Sequence, residues 1–475
     1  MEEATMAKPV FDFDKAISTY LITDHISEQF SHHCKIFDGS LIINYTSCTD
    51  VFHETTSDTE VVIIGYCIDA HNELDRDDIP QFLASVQPTL PEAIYRAARR
   101  FAGRYVILYR HCNTAIMFGD SYGLLQINYG DIDGHPAYAS LDVLIGHHFH
   151  LNYSRKAQEL RHKADYTQAL PYQMTLYNEV KLLPANHYLV LPENHMVRVP
   201  LRIRQIKTKE DEQWAISRSL ELIRNTLRQM KELGPIECPL TAGSDSRVVL
   251  AFLLEDNPKQ PCYTFWHQNF TEKTPDLVIP KTICEDNQLP YQTIDDLEPD
   301  DEYLNKIRDI LGPYYSVSTI GLSYTFKSAF NNAVSIHSDI LDQVGKSSIG
   351  KNIPSTLGTA SFLTCKTHVF SSLIFPEMKK LVADFRSCGE TQNRLDLFSI
   401  EQDGSRWVAQ GLAIASICGH LYLNIFSSGE LLDIWLGLPI CVAIFPLKTS
   451  TIINCQCVHV IFSIRILFQK GILRL

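Results

Sequence analysis

A chain of 475 residues is too long for one ordinary hydrophobic core and predicts two domains, or three. Its 45% hydrophobic and 20% charged residues exclude extensive disorder, and a formal net charge of −13 excludes a general nucleic-acid binder, which needs a basic footprint. The 13 cysteines include no CxxC pair, which suits reduced thiols better than a disulfide framework or a zinc site. The opening stretch MEEATMAKPVFDFDKA is acidic and shows no signal peptide. The most apolar run, residues 451–468, carries Asn454, Gln456, His459 and Arg465 and is too polar to span a bilayer. The expected address is cytoplasmic, with no membrane and no nucleic-acid partner.

In chain order, the first 200 residues read mainly as short strands: 61–67 (VVIIGYC), 103–109 (GRYVILY), 114–118 (TAIMF) and 187–191 (HYLVL). Between the first two, residues 90–101 have helical spacing, with Ile94, Ala97, Ala98 and Phe101 on one face. Strands with few helices predict an α+β sandwich. The histidines of GHHFH, 146–150, read as a solvated or partly packed loop, because no carboxylate or cysteine completes them nearby in sequence.

The pattern changes after a boundary near residues 195–210. Residues 212–233 predict an amphipathic helix with Ile216, Leu220, Ile223 and Leu227 in its stripe, stopped by Gly234. A strand at 236–240, a glycine-containing loop, a helix over 246–255, a strand at 262–266 and a helix near 276–287 follow. This succession predicts a parallel sheet with crossover helices. Residues 441–475 hold Lys448, Arg465, Lys470 and Arg474 but no Asp or Glu. The favoured reading is a tail foreign to the fold, against a buried strand pair or a membrane-associating segment.

The loop, TAGSDSR at 241–247, carries the chemistry. A phosphate site between a strand and a helix needs a tight turn, inward N–H groups and a helix N-terminus. Gly243 would allow positive φ and close approach. Thr241, Ser244 and Ser246 offer hydroxyls, and Asp245 fits a magnesium ligand or a helix-cap acceptor. Arg247 can face a phosphate or solvent. No GxxxxGK[ST] run is present, so this is not a Walker-type loop.

PLTAGSDSR resembles the SGGxDS loop of asparagine synthetase and its relatives. FAGRYVILY (101–109), GDSYGLLQINY (119–129), AYASLDVLI (137–145) and LLPANHYLVL (182–191) are similar to successive elements of that family's class II amidotransferase domain. The resemblance implies an Ntn-hydrolase-like sandwich over 1–200, an α/β PP-loop ATP-pyrophosphatase domain over 205–440, and an atypical tail over 441–475. It implies ATP and Mg as cofactors, with Thr241, Ala242, Gly243, Ser244, Asp245, Ser246 and Arg247 around the pyrophosphate. Trp266 and His267 would line the adenine pocket, and Asp276 would open the next helix.

Asp245 and Asp342 would hold Mg, and Lys346 would neutralise pyrophosphate, although the family's G-x-G-x-D-E segment is replaced here by SIHSDILDQVGKSSIGK, which also holds Asp339. Glu401 and Arg406, in EQDGSRW, are further candidates by the same resemblance. The family's glutaminase uses a cysteine directly after the initiator. Here Glu2 follows Met1 and the first cysteine is Cys34, so the sandwich is expected to be inactive as a glutaminase. The implied reaction is carboxylate activation to an acyl-adenylate and capture by an amine or ammonia, with a homodimer left open. The alternative is a degenerate homologue that binds nucleotide or a protein partner without turnover, since Ala242 replaces a glycine.

Overall fold

The computed structural model describes residues 9–162, 169–330, 333–342, 358–367, 371–389 and 393–437. The chain first forms β1 (Tyr20–Thr23), β2 (His32–Ile36), β3 (Leu41–Tyr45), β4 (Val51–Thr55) and β5 (Thr59–Asp69). Helices α1 (Ile79–Ala84) and α2 (Pro91–Ala97) follow, then the hairpin of β6 (Phe101–His111) and β7 (Thr114–Gly119). A second hairpin, β8 (Asn128–Ile132) and β9 (His135–Ala139), leads to α3 (Asp142–His148) and α4 (Arg155–Arg161). With β10 (Lys181–Leu182), β11 (His187–Leu191) and β12 (His195–Arg198), these strands make two six-stranded antiparallel sheets. Their orders are β10-β8-β9-β1-β3-β2 and β12-β11-β7-β6-β5-β4.

The continuous apolar run of β5 is explained by burial on both faces. Val62 and Ile64 meet Tyr20, Ile22 and Ile43 of the other sheet, whereas Val61 and Ile63 meet Ile79 and Leu83 of α1 and Ile94 of α2. Leu21, Ala137 and Ala139, on the far side of the first sheet, share a core with Val143 and Leu144 of α3 and Ala157 of α4. The layers therefore stack α/β/β/α, with the two antiparallel sheets paired face to face. The helix expected over 90–101 is shorter: α2 ends at Ala97, one 3₁₀ turn covers Ala98–Arg100, and Phe101 already pairs with Asp69 in the β5–β6 ladder. Gly103 sits in that ladder at φ +118°, where an added Cβ would lie 2.3 Å from the Tyr66 carbonyl oxygen.

After β12 the chain enters α5 (Lys209–Met230), which starts before residue 212 because Thr208 and Asp211 form a capping box. Its buried face is Ala215, Ser219, Leu222, Ile223, Thr226, Leu227 and Met230, rotated from the expected stripe, with Ile216 and Leu220 only half-buried. Two polar groups on that face have partners: Asn225 donates to the Ala70 carbonyl at 3.1 Å, and Ser219 accepts from the Trp435 indole at 3.2 Å.

Then come β13 (Ile236–Pro239), α6 (Ser244–Asp256), β14 (Cys262–Trp266), α7 (Pro275–Asp286) and β15 (Tyr291–Asp295). Helices α8 (Asp301–Leu311) and α9 (Val317–Ala329) precede β16 (Val334–His337). Helices α10 (Ala360–Lys366), α11 (Phe375–Ser387) and α12 (Arg394–Phe398) follow, and a π-helical run, Ser399–Val408, continues into α13 (Ala409–Ile417). Strand β17 (Leu421–Asn424) and α14 (Gly429–Leu436) end the described chain. The five strands β15-β14-β13-β16-β17 form one parallel sheet, as the strand–helix alternation predicts.

The two sheet systems are joined by buried ion pairs. Arg99 grips Asp433 through two bonds of 2.7 Å, and Arg198 grips Glu401 through two more of 2.7 Å. The described cysteines are free thiols. Among the described residues no helix is long and apolar enough to cross a membrane. The tail at 441–475 lies outside the described residues.

Candidate functional site

Strand β13 is the middle strand of the parallel sheet, and the chain leaves it toward β14 on one side while β16 flanks it on the other. The β13–β16 edge is therefore the point where strand order reverses. In open parallel sheets, ligands bind in the crevice outside the carboxyl ends of the strands at such a point. The TAGSDSR loop leaves β13 at that edge.

Local bonds fix the loop. The Leu240 N–H extends the ladder to the Tyr263 carbonyl at 2.8 Å, and the Thr264 hydroxyl donates to the Leu240 carbonyl at 2.6 Å. The Thr241 N–H then donates to Ser246 Oγ at 3.1 Å, and the Thr241 and Ser246 hydroxyls lie 3.1 Å apart. Gly243 is the N-cap of α6 at φ −65° and ψ 152°, so the expected positive φ is corrected: the turn is made by extended backbone open to other residues. What glycine does supply is the absence of a side-chain acceptor at the cap. The N-terminal end of a 13-residue helix therefore points at the crevice with no carboxylate or hydroxyl from its own cap residue.

The other sequence candidates fall at several places. Asp245 lies half-buried in the first turn of α6. Arg247 is half-buried, and its Nε donates to the Gly243 carbonyl at 3.1 Å, which braces the turn. Asp276, in the first turn of α7, accepts the Ala242 N–H at 2.8 Å, so the two segments do meet. Trp266 ends β14 and His267 follows it, one strand from the loop on the same edge; His267 Nδ1 is 2.6 Å from Asp296. Asp339 opens the 3₁₀ turn after β16 and accepts the Tyr422 hydroxyl at 2.5 Å. Asp342 closes that turn, its side chain lies outside what is described, and Ser244 is described by its backbone alone. Lys346 lies outside the described residues.

Glu401 and Arg406 belong elsewhere. Glu401 is held by Arg198 and by Asn186, and Arg406 donates to the Tyr172 and Met174 carbonyls, so both tie the π-helical run to the sandwich. In the sandwich, the D-x-x-G element is structural: Asp120 accepts the N–H groups of Tyr122, Leu124 and Leu125, and burial pushes its carboxyl up to about 6 against those bonds. A cavity of about 30 Å³ bordered by Asp142, Tyr315 and Arg406 has room for water rather than for a substrate.

Sequence reasoning passed over a polar string beneath the crevice. The Tyr263 hydroxyl is 3.1 Å from Ser335 Oγ, which is 2.5 Å from His337 Nε2, and the His337 ring stacks on Tyr422 at 3.4 Å. Burial holds His337 well below the usual histidine range, so it is neutral and brings no positive charge. The available signal was a histidine ending an apolar strand just before a polar turn. The rim thus combines a helix N-terminus and hydroxyl groups with the carboxylates of Asp245, Asp276 and Asp339. A phosphate would meet those carboxylates unfavourably unless a divalent cation accompanied it, so the donor set fits a magnesium-bound anion.

The site and fold define a protein with an antiparallel two-sheet sandwich followed by a parallel α/β sheet with a helix-capped loop at its switch point. No protein family and no curated protein matches the sequence. Solved structures are similar to it in part, two of them as follows. The glutamine phosphoribosylpyrophosphate amidotransferase from B. subtilis complexed with ADP and GMP shares 10% identity over 69% of this chain and 76% of that one, at a TM-score of 0.25. The structure of the allosteric regulatory enzyme of purine biosynthesis shares 11% identity over 63% of this chain and 72% of that one, at a TM-score of 0.26. Likenesses of that size put no individual residues into correspondence.

Proposed function

We propose that the crevice at the β13–β16 edge binds a magnesium nucleoside triphosphate by its pyrophosphate, and that the chain activates a carboxylate and passes it to an amine or ammonia. The observation that carries this is the α6 N-terminus, capped by Gly243 alone, at the sheet's switch point. The resemblance of TAGSDSR to the asparagine synthetase loop supplies the reaction class.

In this reading the first-turn amides of α6 and the Thr241 and Ser246 hydroxyls orient the β- and γ-phosphates. Asp245 and Asp342 would hold Mg, whose charge would ease transfer of the adenylyl group. A substrate carboxylate oxygen attacks the α-phosphorus, the bond to the bridging oxygen breaks, and pyrophosphate leaves with the negative charge that the α6 dipole stabilises. The amine nitrogen then attacks the acyl carbon, its proton goes to solvent, and AMP leaves. The Trp266 and His267 edge is the adenine face.

One observation favours the second reading, nucleotide binding without turnover: the Asp276 carboxylate already occupies the Ala242 N–H. The two are separated by measuring AMP and pyrophosphate formation from MgATP with a panel of carboxylates and ammonia. Turnover that Asp245→Asn abolishes supports the ligase. Nucleotide binding with no AMP formed across the panel supports the second reading.

A further inference from the structure

The GHHFH segment, expected as a loop without a carboxylate partner, is instead placed beside one by the fold. Its first three residues, Gly146 to His148, end α3, and the N-terminal sheet brings two distant segments to the same corner. Asp24 and His25 follow β1, and His135 opens β9, whose neighbour in the sheet is β1. Asp24 Oδ1 lies 2.6 Å from His25 Nδ1, and Asp24 Oδ2 lies 2.7 Å from His135 Nδ1. One ligand atom from each of the three falls within 4.8 Å of the others. On the outer side of His25, its Nε2 faces His148 Nε2 at 2.7 Å, and the two rings stack at 4.6 Å. Phe149 packs edge-on to His25 and His148, which limits where those rings can turn.

We propose that Asp24, His25 and His135 form a binding site for a divalent transition-metal ion of the zinc class, with His148 as its supporting partner. Two imidazole nitrogens and a carboxylate suit zinc, nickel or copper, whereas magnesium and calcium take oxygen-only sets. The ion replaces the two hydrogen bonds to Asp24: each imidazole is bare at Nδ1 and keeps its proton on Nε2. On the two Asp24–histidine edges the donors move apart from 2.6 and 2.7 Å to the ~3.3 Å spacing of a tetrahedral zinc shell. His25 Nε2–H then needs a hydrogen-bond acceptor, and His148 Nε2, 2.7 Å away, stands where a metal-bound histidine's outer partner belongs. The side chains of Asp24, His25 and His135 are partly open to solvent, so an ion reaches them without unfolding. The site is separate from the crevice beside α6 and does not depend on the nucleotide reading.

The test is titration of untagged full-length protein with zinc by calorimetry and with cobalt(II) by absorption. One tight site is expected, with cobalt d–d bands and no thiolate charge-transfer band. His25→Ala and His135→Ala should each weaken zinc binding at least about tenfold, and His148→Ala by about 10- to 100-fold. His111→Ala, which disables the other cluster of this kind among the described residues, Asp58 with His111 and Cys112, should leave the affinity unchanged. Because His135 is exposed in a hairpin, its variant folds even if the others do not. Equal zinc binding by wild type and the His25→Ala/His135→Ala double variant would overturn the proposal, as would cobalt bands of thiolate type.

Discussion

Replacing Arg198 with methionine removes the cation that holds Glu401 and Asp384 across the seam between the sandwich and the helices of the second half. Its Nη atoms make two bonds of 2.7 Å to Glu401, and its Nε makes one of 2.7 Å to Asp384. The Arg198 and Glu401 side chains are only 3% and 1% exposed, so solvent cannot take over the lost partner. Removing one member of a buried pair costs about 3–5 kcal/mol, because the other charge is left desolvated. Asp384 is cushioned, since His187 and the Tyr172 hydroxyl stay at 2.9 and 3.1 Å, so the uncompensated charge is mainly that of Glu401. Adding Glu401→Gln to Arg198→Met should therefore recover about 1–3 kcal/mol of the loss. Urea denaturation followed by tryptophan fluorescence and circular dichroism measures both. A loss below about 1 kcal/mol for Arg198→Met, or no recovery in the double variant, would refute the view that Glu401 is buried and depends on Arg198 for its charge.

Two further perturbations test the packing. Burial alone would raise the Glu430 carboxyl, but hydrogen bonds from His71 and Arg218 outweigh it and hold it at about 2, against an ordinary value of 4.5. A depressed carboxyl stabilises the fold above its unfolded value, so up to about 3 kcal/mol should be lost as pH falls from 4.5 toward 2. Glu430→Gln should flatten that part of the stability–pH curve, and an unchanged curve would contradict the assignment. Gly103→Ala forces a Cβ to 2.3 Å from the Tyr66 carbonyl at φ +118°; a loss well above about 1 kcal/mol is expected in the same denaturation assay, and a neutral result would show that β5 and β6 can part there.

The elements were largely legible in the sequence because burial here follows local pattern. β11 and β14 fall on the residues that β-branched and aromatic runs mark, and the strand–helix alternation after residue 235 does give a parallel sheet. The stripe of α5 was misread because its buried face includes Ser219 and Thr226, polar residues whose place depends on what crosses them, and apolarity alone cannot find them. Glu401 and Arg406 look like chemistry in one dimension; only their partners, more than 200 positions away in sequence, make them seam residues. The same limit hid Asp24 from the GHHFH histidines, since β1 and β9 become neighbours only in the folded sheet. The loop at 241–247 was legible in position but not in conformation: Gly243 serves by lacking a side-chain cap, not by a positive φ.

That property makes the most direct measurement possible. Aspartate is a preferred N-cap residue, and φ −65° with ψ 152° accepts it; the nearest atom to its Cβ would be the Thr241 hydroxyl at 3.3 Å. Gly243→Asp should therefore leave α6 as stable as before, or more stable by a few tenths of a kcal/mol. It also puts a carboxylate where the pyrophosphate is proposed to bind. Calorimetric titration of wild type and Gly243→Asp with MgATP, alongside their urea midpoints, reads both effects at once. The expected result is binding by wild type, at least a tenfold loss in the variant and no loss of stability. No MgATP binding by wild type, or equal binding by the two proteins, would contradict the assignment of the α6 N-terminus as the anion site.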